Sequence, residues 1–236
     1  MHTETLEYND GQQKCKAFVA SADATSKRPA VLISHAWGGQ GEFEREKARK
    51  LAELGYVGFA LDNYGDGKTG SSMDENSKLM QPFMDDRAKL RQRLLAGMTA
   101  AKNHSAVDSS KIAIIGFCFG GLCALDLARA AKDLKGSVSF HGLFYPPELG
   151  PQQDIAAKVL ILHGWDDPMA KPEAVLAIAH EMTEAKADWQ IHAYGHTSHA
   201  FTNPQMNMPE NGMQYKAAAD KRSWQSMKNF LEEIFA

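Results

Sequence analysis

The stretch KIAIIGFCFGGLCALDLARAA, residues 111–131, decides the fold. It joins a short apolar run typical of a buried strand to a helical pattern over 122–132, with only a glycine-rich turn between them. That turn contains Gly116-x-Cys118-x-Gly120, the nucleophile-elbow pattern with cysteine in place of serine. Such a tight turn lifts its middle side chain above the edge of a sheet and sets it at a helix N-terminus, where the dipole favours a thiolate. Cys118 is therefore the predicted nucleophile.

Strand-like and helix-like segments alternate through the rest of the chain. We predict strands at 14–20, 30–35, 56–62, 111–117, 136–142, 158–164 and 189–194. We predict helices at 42–54, 83–103, 122–132, 172–186 and 216–235, and loops at 63–77 and 146–151. Short apolar strands that alternate with helices indicate an α/β protein with a mostly parallel central sheet and helices on both faces. We expect residues 1–236 to form one domain.

A cysteine nucleophile needs a base, and the base needs an orienting carboxylate. Asp166 and Asp167 follow the predicted strand 158–164, and His196 and His199 follow the strand 189–194. The carboxyl ends of parallel strands share one edge of the sheet, so these groups are predicted to lie near Cys118. Spacing alone separates neither the two aspartates nor the two histidines.

An oxyanion hole requires backbone N–H donors beside the nucleophile. We predict the N–H of Phe119, which follows Cys118, and the N–H of Trp37 in the glycine-rich loop after the strand 30–35. His35 of that loop is interpreted as a histidine that satisfies loop carbonyls. The predicted substrate pocket contains mainly aromatic residues of the rim loops and their neighbours: Ala36, Tyr64, Phe83, Tyr145, Trp165 and Phe201.

Together these segments resemble the dienelactone hydrolase family over about residues 28–235. The resemblance is carried by LAELGYVGFALDNYGDG (51–67), GFCFGG (116–121), LKGSVSFHG (134–142), HGWDDPM (163–169) and YGHTSHAF (194–201). It implies an α/β-hydrolase fold. It also implies a triad in which Cys118 is the nucleophile, Asp167 the acid and His199 the base.

The chain departs from the pattern of that family at several positions. Many members have glutamate directly after the loop histidine, near the nucleophile, where this chain has Ala36. Members that act on dienelactone use arginines to hold the substrate carboxylate. This chain has Asn203 at one such position and only Lys68 and Lys78 as cations in the region after the third strand, so dienelactone itself is not the expected substrate.

Composition excludes several other classes of protein. The 236 residues include 26 Lys and Arg against 29 Asp and Glu, a net charge of −3, which gives no nucleic-acid footprint and no basic membrane surface. No apolar run is long enough for a membrane span, and the N-terminus lacks the apolar core of a secretory signal. Three sparse cysteines make a poor disulfide framework, so we expect a cytoplasmic protein.

These observations lead to one functional hypothesis. We expect a hydrolase, monomeric or homodimeric, that cleaves a small-molecule carboxylic ester or lactone through a thioester acyl-enzyme. It needs no cofactor and no metal, since His141 and His163 lie in apolar strands without ligand spacing. The alternatives are a thioesterase or broad carboxylesterase, and a catalytically silent or redox-sensing thiol protein on the same fold.

Overall fold

The computed structural model describes residues 1–236 and contains ten strands and six α-helices. The strands are β1 (His2–Asp10), β2 (Gln13–Ser21), β3 (Arg28–Ser34), β4 (Val57–Ala60), β5 (Val107–Phe117), β6 (Gly136–Phe140), β7 (Lys158–Gly164), β8 (Trp189–Tyr194), β9 (Asn207–Met208) and β10 (Met213–Gln214). The helices are α1 (Glu42–Glu53), α2 (Met73–Asp85), α3 (Arg87–Lys102), α4 (Phe119–Ala130), α5 (Pro172–Glu184) and α6 (Ala217–Phe235). A 3-10 turn, Pro209–Asn211, separates β9 from β10.

Eight of the strands form one sheet in the order β1-β2-β4-β3-β5-β6-β7-β8. The six neighbouring strands β4, β3, β5, β6, β7 and β8 run parallel to one another. The antiparallel hairpin β1–β2 extends the sheet, with β2 antiparallel to β4. The chain moves outward from β3 in both directions, so the loops after β3 and β5 meet at the middle of the carboxyl edge. This is the mostly parallel α/β sheet that the sequence predicts.

The central strands are apolar throughout because both faces of the sheet are covered. Along β5, Ile112 and Ile114 pack under α3 and α4, whereas Ile115 and Phe117 pack under α1 and α6. This alternation with period two explains why a strand buried on both sides reads as a continuous apolar run. No helix in the structure combines the length and apolarity needed to cross a bilayer.

The structure differs from the predicted elements at three places. Strand β1 was not predicted, because its outward residues are polar and exposed along the sheet edge. The predicted loop 63–77 ends at Ser72, whose hydroxyl accepts the Glu75 N–H and starts α2. The predicted helix 83–103 is two helices, since the chain leaves helical geometry at Asp86, whose carboxylate then caps α3 by accepting the Lys89 N–H.

Candidate active site

The turn between β5 and α4 holds Cys118 in a backbone conformation that residues with a side chain rarely adopt. Its φ is 57° and its ψ −118°. The turn closes only because its flanking residues are glycines. A Cβ on Gly116 would lie 1.8 Å from the Gly120 carbonyl oxygen, and a Cβ on Gly120 would lie 2.1 Å from that of Ser34. The strained geometry therefore follows from the Gly-x-Cys-x-Gly pattern, and such strain costs about 1–3 kcal/mol.

The backbone of the nucleophile turn is held by His141, a residue to which the sequence assigned no role. The Cys118 N–H donates to the Phe140 carbonyl at 3.1 Å and to Nδ1 of His141 at 3.2 Å. His141 Nε2 then donates to the Thr202 hydroxyl at 2.8 Å. Burial holds the pKa of His141 well below its usual range. His141 is thus a neutral imidazole that accepts from Cys118.

Asp167 and His199 form a hydrogen-bonded pair at the same edge of the sheet. Asp167 Oδ2 lies 2.7 Å from His199 Nδ1, and both side chains are buried. The second carboxylate oxygen of Asp167 accepts the Met169 N–H at 2.8 Å. Asp166 and His196, which spacing did not distinguish from these two, are exposed to solvent.

The remaining ring nitrogen of His199, Nε2, makes no hydrogen bond of regular geometry and is buried. Both His199 and Cys118 line one cavity. Burial alone would lower the pKa of His199. The charge of Cys118 and the hydrogen bond to Asp167 outweigh burial and raise this pKa to about 10. The arrangement favours a protonated His199 in the cavity that Cys118 also lines.

The other two cysteines lie in different surroundings. Cys118 is half-buried, whereas Cys15 and Cys123 have no exposed surface. Burial raises the pKa of the Cys15 thiol to about 11 and that of Cys123 further still. Cys118 is therefore the cysteine with access to the cavity.

Two backbone N–H groups of the site, in the loop after β3 and at the start of α4, are available as donors. The Trp37 N–H has no partner in the protein, and Phe119 is the first residue of α4, so its N–H has no partner within the helix. The Trp37 carbonyl accepts the Tyr64 hydroxyl at 2.8 Å, which fixes the loop. His35 accepts the Asn63 N–H and contacts the Ala36 carbonyl, in agreement with its interpretation as a loop-satisfying histidine.

The cavity has a volume of about 770 Å³, within the usual range for small-molecule sites. Of the six residues predicted to line it, only Ala36 does so. The structure places the other five outside this lining. Tyr64, Phe83 and Phe201 are buried within the core, and Tyr145 and Trp165 are 53% and 46% exposed outside the cavity. Aromatic residues near a rim loop also pack beneath it, and sequence position does not separate the two cases.

Glu44 is a site residue that the sequence analysis did not identify. It belongs to α1, is only 3% exposed, and lies in the cavity wall. Its carboxylate accepts the Gly41 N–H at 2.9 Å and the Ala36 N–H at 3.4 Å, so it links the start of α1 to the loop that carries Trp37. Burial raises its pKa. A glutamate three residues after a glycine that begins a helix was the available signal.

The parallel sheet, the elbow after β5, and an acid and a histidine after β7 and β8 define an α/β-hydrolase. Residues 15–235 match the Dienelactone hydrolase family. A solved dienelactone-hydrolase-like promiscuous phosphotriesterase from metagenomic libraries is 34% identical, with a TM-score of 0.92, and the match covers 100% of this chain and 99% of that one. Another solved structure, described as m3DLH, is 33% identical with a TM-score of 0.94 over 100% and 99% of the two chains.

A sequence relative of Yersinia pestis named "Putative carboxymethylenebutenolidase" is 28% identical over 92% of this chain and 83% of its own. The chain belongs to the dienelactone hydrolase family. It is accordingly a hydrolase of the carboxylic ester and lactone class.

Proposed function

We propose that the protein hydrolyses a small-molecule ester or lactone through a Cys118–His199–Asp167 triad and a thioester acyl-enzyme. One observation carries the proposal: His199 Nδ1 lies 2.7 Å from the carboxylate of Asp167, His199 Nε2 has no hydrogen-bond partner, and His199 and Cys118 line the same cavity. A base oriented by a buried carboxylate, next to a half-exposed thiol, is the arrangement that nucleophilic acyl transfer requires.

In the first half-reaction, the Cys118 thiolate forms a bond to the carbonyl carbon and the C=O electron pair moves to oxygen. The N–H groups of Phe119 and Trp37 stabilise this oxyanion by donating hydrogen bonds. The intermediate collapses, the C–O bond breaks, and the leaving alkoxide takes the proton of the His199 imidazolium. An acyl thioester on Cys118 remains.

Deacylation uses the same histidine with its pKa changed. Acylation removes the Cys118 charge that raises the pKa of His199, so burial favours the neutral imidazole. The imidazole takes a proton from water while the water oxygen attacks the thioester carbonyl. The C–S bond then breaks, which releases the carboxylic acid and restores the thiolate and the imidazolium.

A second candidate activity is the hydrolysis of an uncharged phosphotriester. The observation that favours it is the match to the dienelactone-hydrolase-like phosphotriesterase over the whole chain. The same thiolate would attack phosphorus instead of carbon, and the same two N–H groups would stabilise the charge on the phosphoryl oxygen.

Turnover of activated esters, lactones, thioesters and a phosphotriester by purified protein tests the proposal. Cys118→Ala and His199→Ala are expected to lower kcat/KM by at least about 10³-fold, whereas His196→Ala, an exposed histidine three residues earlier, keeps it. Mass spectrometry of protein quenched during turnover should find the acyl group on Cys118. Equal turnover in all variants would overturn the proposed mechanism, and turnover confined to thioesters would make the protein a thioesterase.

A further inference from the structure

The charge of the cavity wall is the most informative feature of the substrate site. The cavity is lined by 25 residues, of which 11 are hydrophobic and none is lysine or arginine. Three glutamates, Glu42, Glu44 and Glu46, belong to the same lining. A ligand carboxylate that entered would find no cation to pair with it.

The three glutamates are not equivalent. Glu42 and Glu46 are exposed and pair with Arg49 and Lys50, at 2.6 Å and 2.7 Å, which neutralises them on the outer side of α1. Glu44 is buried, and its contacts are two backbone N–H groups with no cationic side chain within ion-pair distance. Glu44 is therefore the acidic side chain of the inner wall that has no ion-pair partner, and the charge of Lys47 acts on it only from outside the cavity lining.

The catalytic end of the cavity adds no positive charge that a substrate carboxylate can use. His199 is paired through Nδ1 with the carboxylate of Asp167 at 2.7 Å, and burial holds the pKa of His141 well below its usual range, so that His141 is neutral. The one protonated group at this end, His199, thus already has an acidic partner in Asp167.

The apolar part of the wall is adaptable in shape. Four methionines lie in it, Met80, Met169, Met206 and Met213. Unbranched methionine side chains fill irregular gaps and adjust to different partners. The wall therefore constrains the size of a substrate acyl chain weakly and its charge strongly.

We infer that this site selects uncharged esters with apolar acyl chains and rejects esters whose acyl chain carries a carboxylate, with Glu44 as a residue that sets this preference. The inference rests on the proposed function. Its physical reason is that a carboxylate that enters the cavity loses its hydration and gains no cation, while it approaches Glu44 and the thiolate.

Three para-nitrophenyl esters of equal acyl length test the charge preference: the hexanoate, the adipate monoester, and the methyl ester of that monoester. They share one leaving group, and the methyl ester separates the effect of charge from that of size. After subtraction of spontaneous hydrolysis, we expect kcat/KM for the adipate monoester to be about 100-fold below the other two. Values within about threefold of each other would overturn the charge preference while the proposed hydrolysis stands. Turnover of none of the three esters would overturn the proposed function together with the preference.

Variants of wall residues test whether the cavity wall sets the preference for uncharged acyl chains. Glu44→Gln keeps an acceptor for the Gly41 N–H, so the start of α1 is retained, and it should reduce the preference about fivefold. Glu53→Gln makes the same change in charge at an exposed position of α1 outside the cavity and should leave the preference unchanged. Met206→Lys places a cation in the wall with a side chain of similar length and should raise the relative rate of the adipate monoester about tenfold. An unchanged preference in both Glu44→Gln and Met206→Lys would overturn the inference.

Discussion

The carboxylate of Asp167 lies 2.7 Å from Nδ1 of His199, with both side chains buried although they follow different strands. Their loops meet because β7 and β8 are adjacent and parallel. The second oxygen of Asp167 accepts the Met169 N–H, and the backbone of His199 donates to the Gly212 carbonyl and accepts the Gln214 N–H, on either side of Met213 in β10. The ring of His199 is thus oriented by Asp167 and its backbone is fixed by β10, which leaves Nε2 available to the thiol and the substrate.

Asp167→Asn should lower kcat by about 10²–10⁴-fold with little change in fold, because the amide no longer stabilises the His199 imidazolium or selects its tautomer. The neighbouring carboxylate provides a matched control. Asp166→Asn changes charge equally at an exposed position and should keep kcat within about twofold. Steady-state kinetics on one activated ester makes the comparison. Similar losses in the two variants would contradict an orienting role for Asp167.

His141 should act as a positioning residue through its two ring nitrogens. His141→Asn can keep an acceptor near the Cys118 N–H, whereas His141→Gln can keep a donor near Thr202. If the contact with Cys118 positions the nucleophile, the Asn variant should retain about tenfold more kcat than the Gln variant, with KM nearly the same. Thermal unfolding of both variants controls for stability. Higher kcat in the Gln variant would contradict this role.

The sequence predicted those features that depend on local pattern. Gly116 and Gly120 identify the elbow because no other residue fits so close to a neighbouring backbone, and the apolar runs identify strands buried on two faces. That the elbow, the acid and the histidine share one edge then follows from the parallel sheet, because β5, β7 and β8 end on the same side. The choice of Asp167 and His199 over their neighbours came from the family resemblance, and burial now separates the two members of each pair.

Features that depend on contacts between distant segments were not predicted. Glu44 looks like an ordinary helix glutamate until the fold brings it against Ala36. His141 lies at the end of an apolar strand, and nothing local indicates that it accepts from Cys118. The same reason explains why the predicted pocket aromatics lie outside the lining, because whether a ring such as Phe201 faces a cavity or the core depends on packing from the other side.

Alkylation should discriminate sharply among the three thiols. Iodoacetamide is expected to modify one cysteine in the folded protein, Cys118, because Cys15 and Cys123 are buried and burial raises their pKa values. Unfolding in denaturant should make all three reactive. Peptide mass spectrometry locates the modified residue, and Cys118→Ala provides the blank. Rapid labelling of Cys15 or Cys123 in the native protein would show that the core is more open than described.

The glycine that follows the nucleophile by two residues should tolerate no side chain. Gly120→Ala brings a Cβ to 2.1 Å from the Ser34 carbonyl oxygen, and a backbone atom in a central strand cannot move aside. We expect a loss of at least about 3 kcal/mol in the free energy of unfolding, or failure to fold. Gly195→Ala is the control, since a Cβ there meets nothing within 4 Å. Urea unfolding measures both variants, and equal stability would disprove the close approach.

The free energy of unfolding should depend on pH through the titration of His199. Its pKa is about 10 in the folded chain, above the ordinary value of 6.5, because the charge of Cys118 and the bond to Asp167 outweigh burial. A group whose pKa rises on folding contributes stability that is fully present below pH 6.5 and is lost as the pH rises through 10. Cys118→Ala removes the largest cause of the rise. Over that range, urea unfolding should show the wild type losing on the order of 2 kcal/mol more than Cys118→Ala, with His196→Ala parallel to the wild type. Parallel curves for wild type and Cys118→Ala would mean that no thiolate–imidazolium pair stabilises the fold.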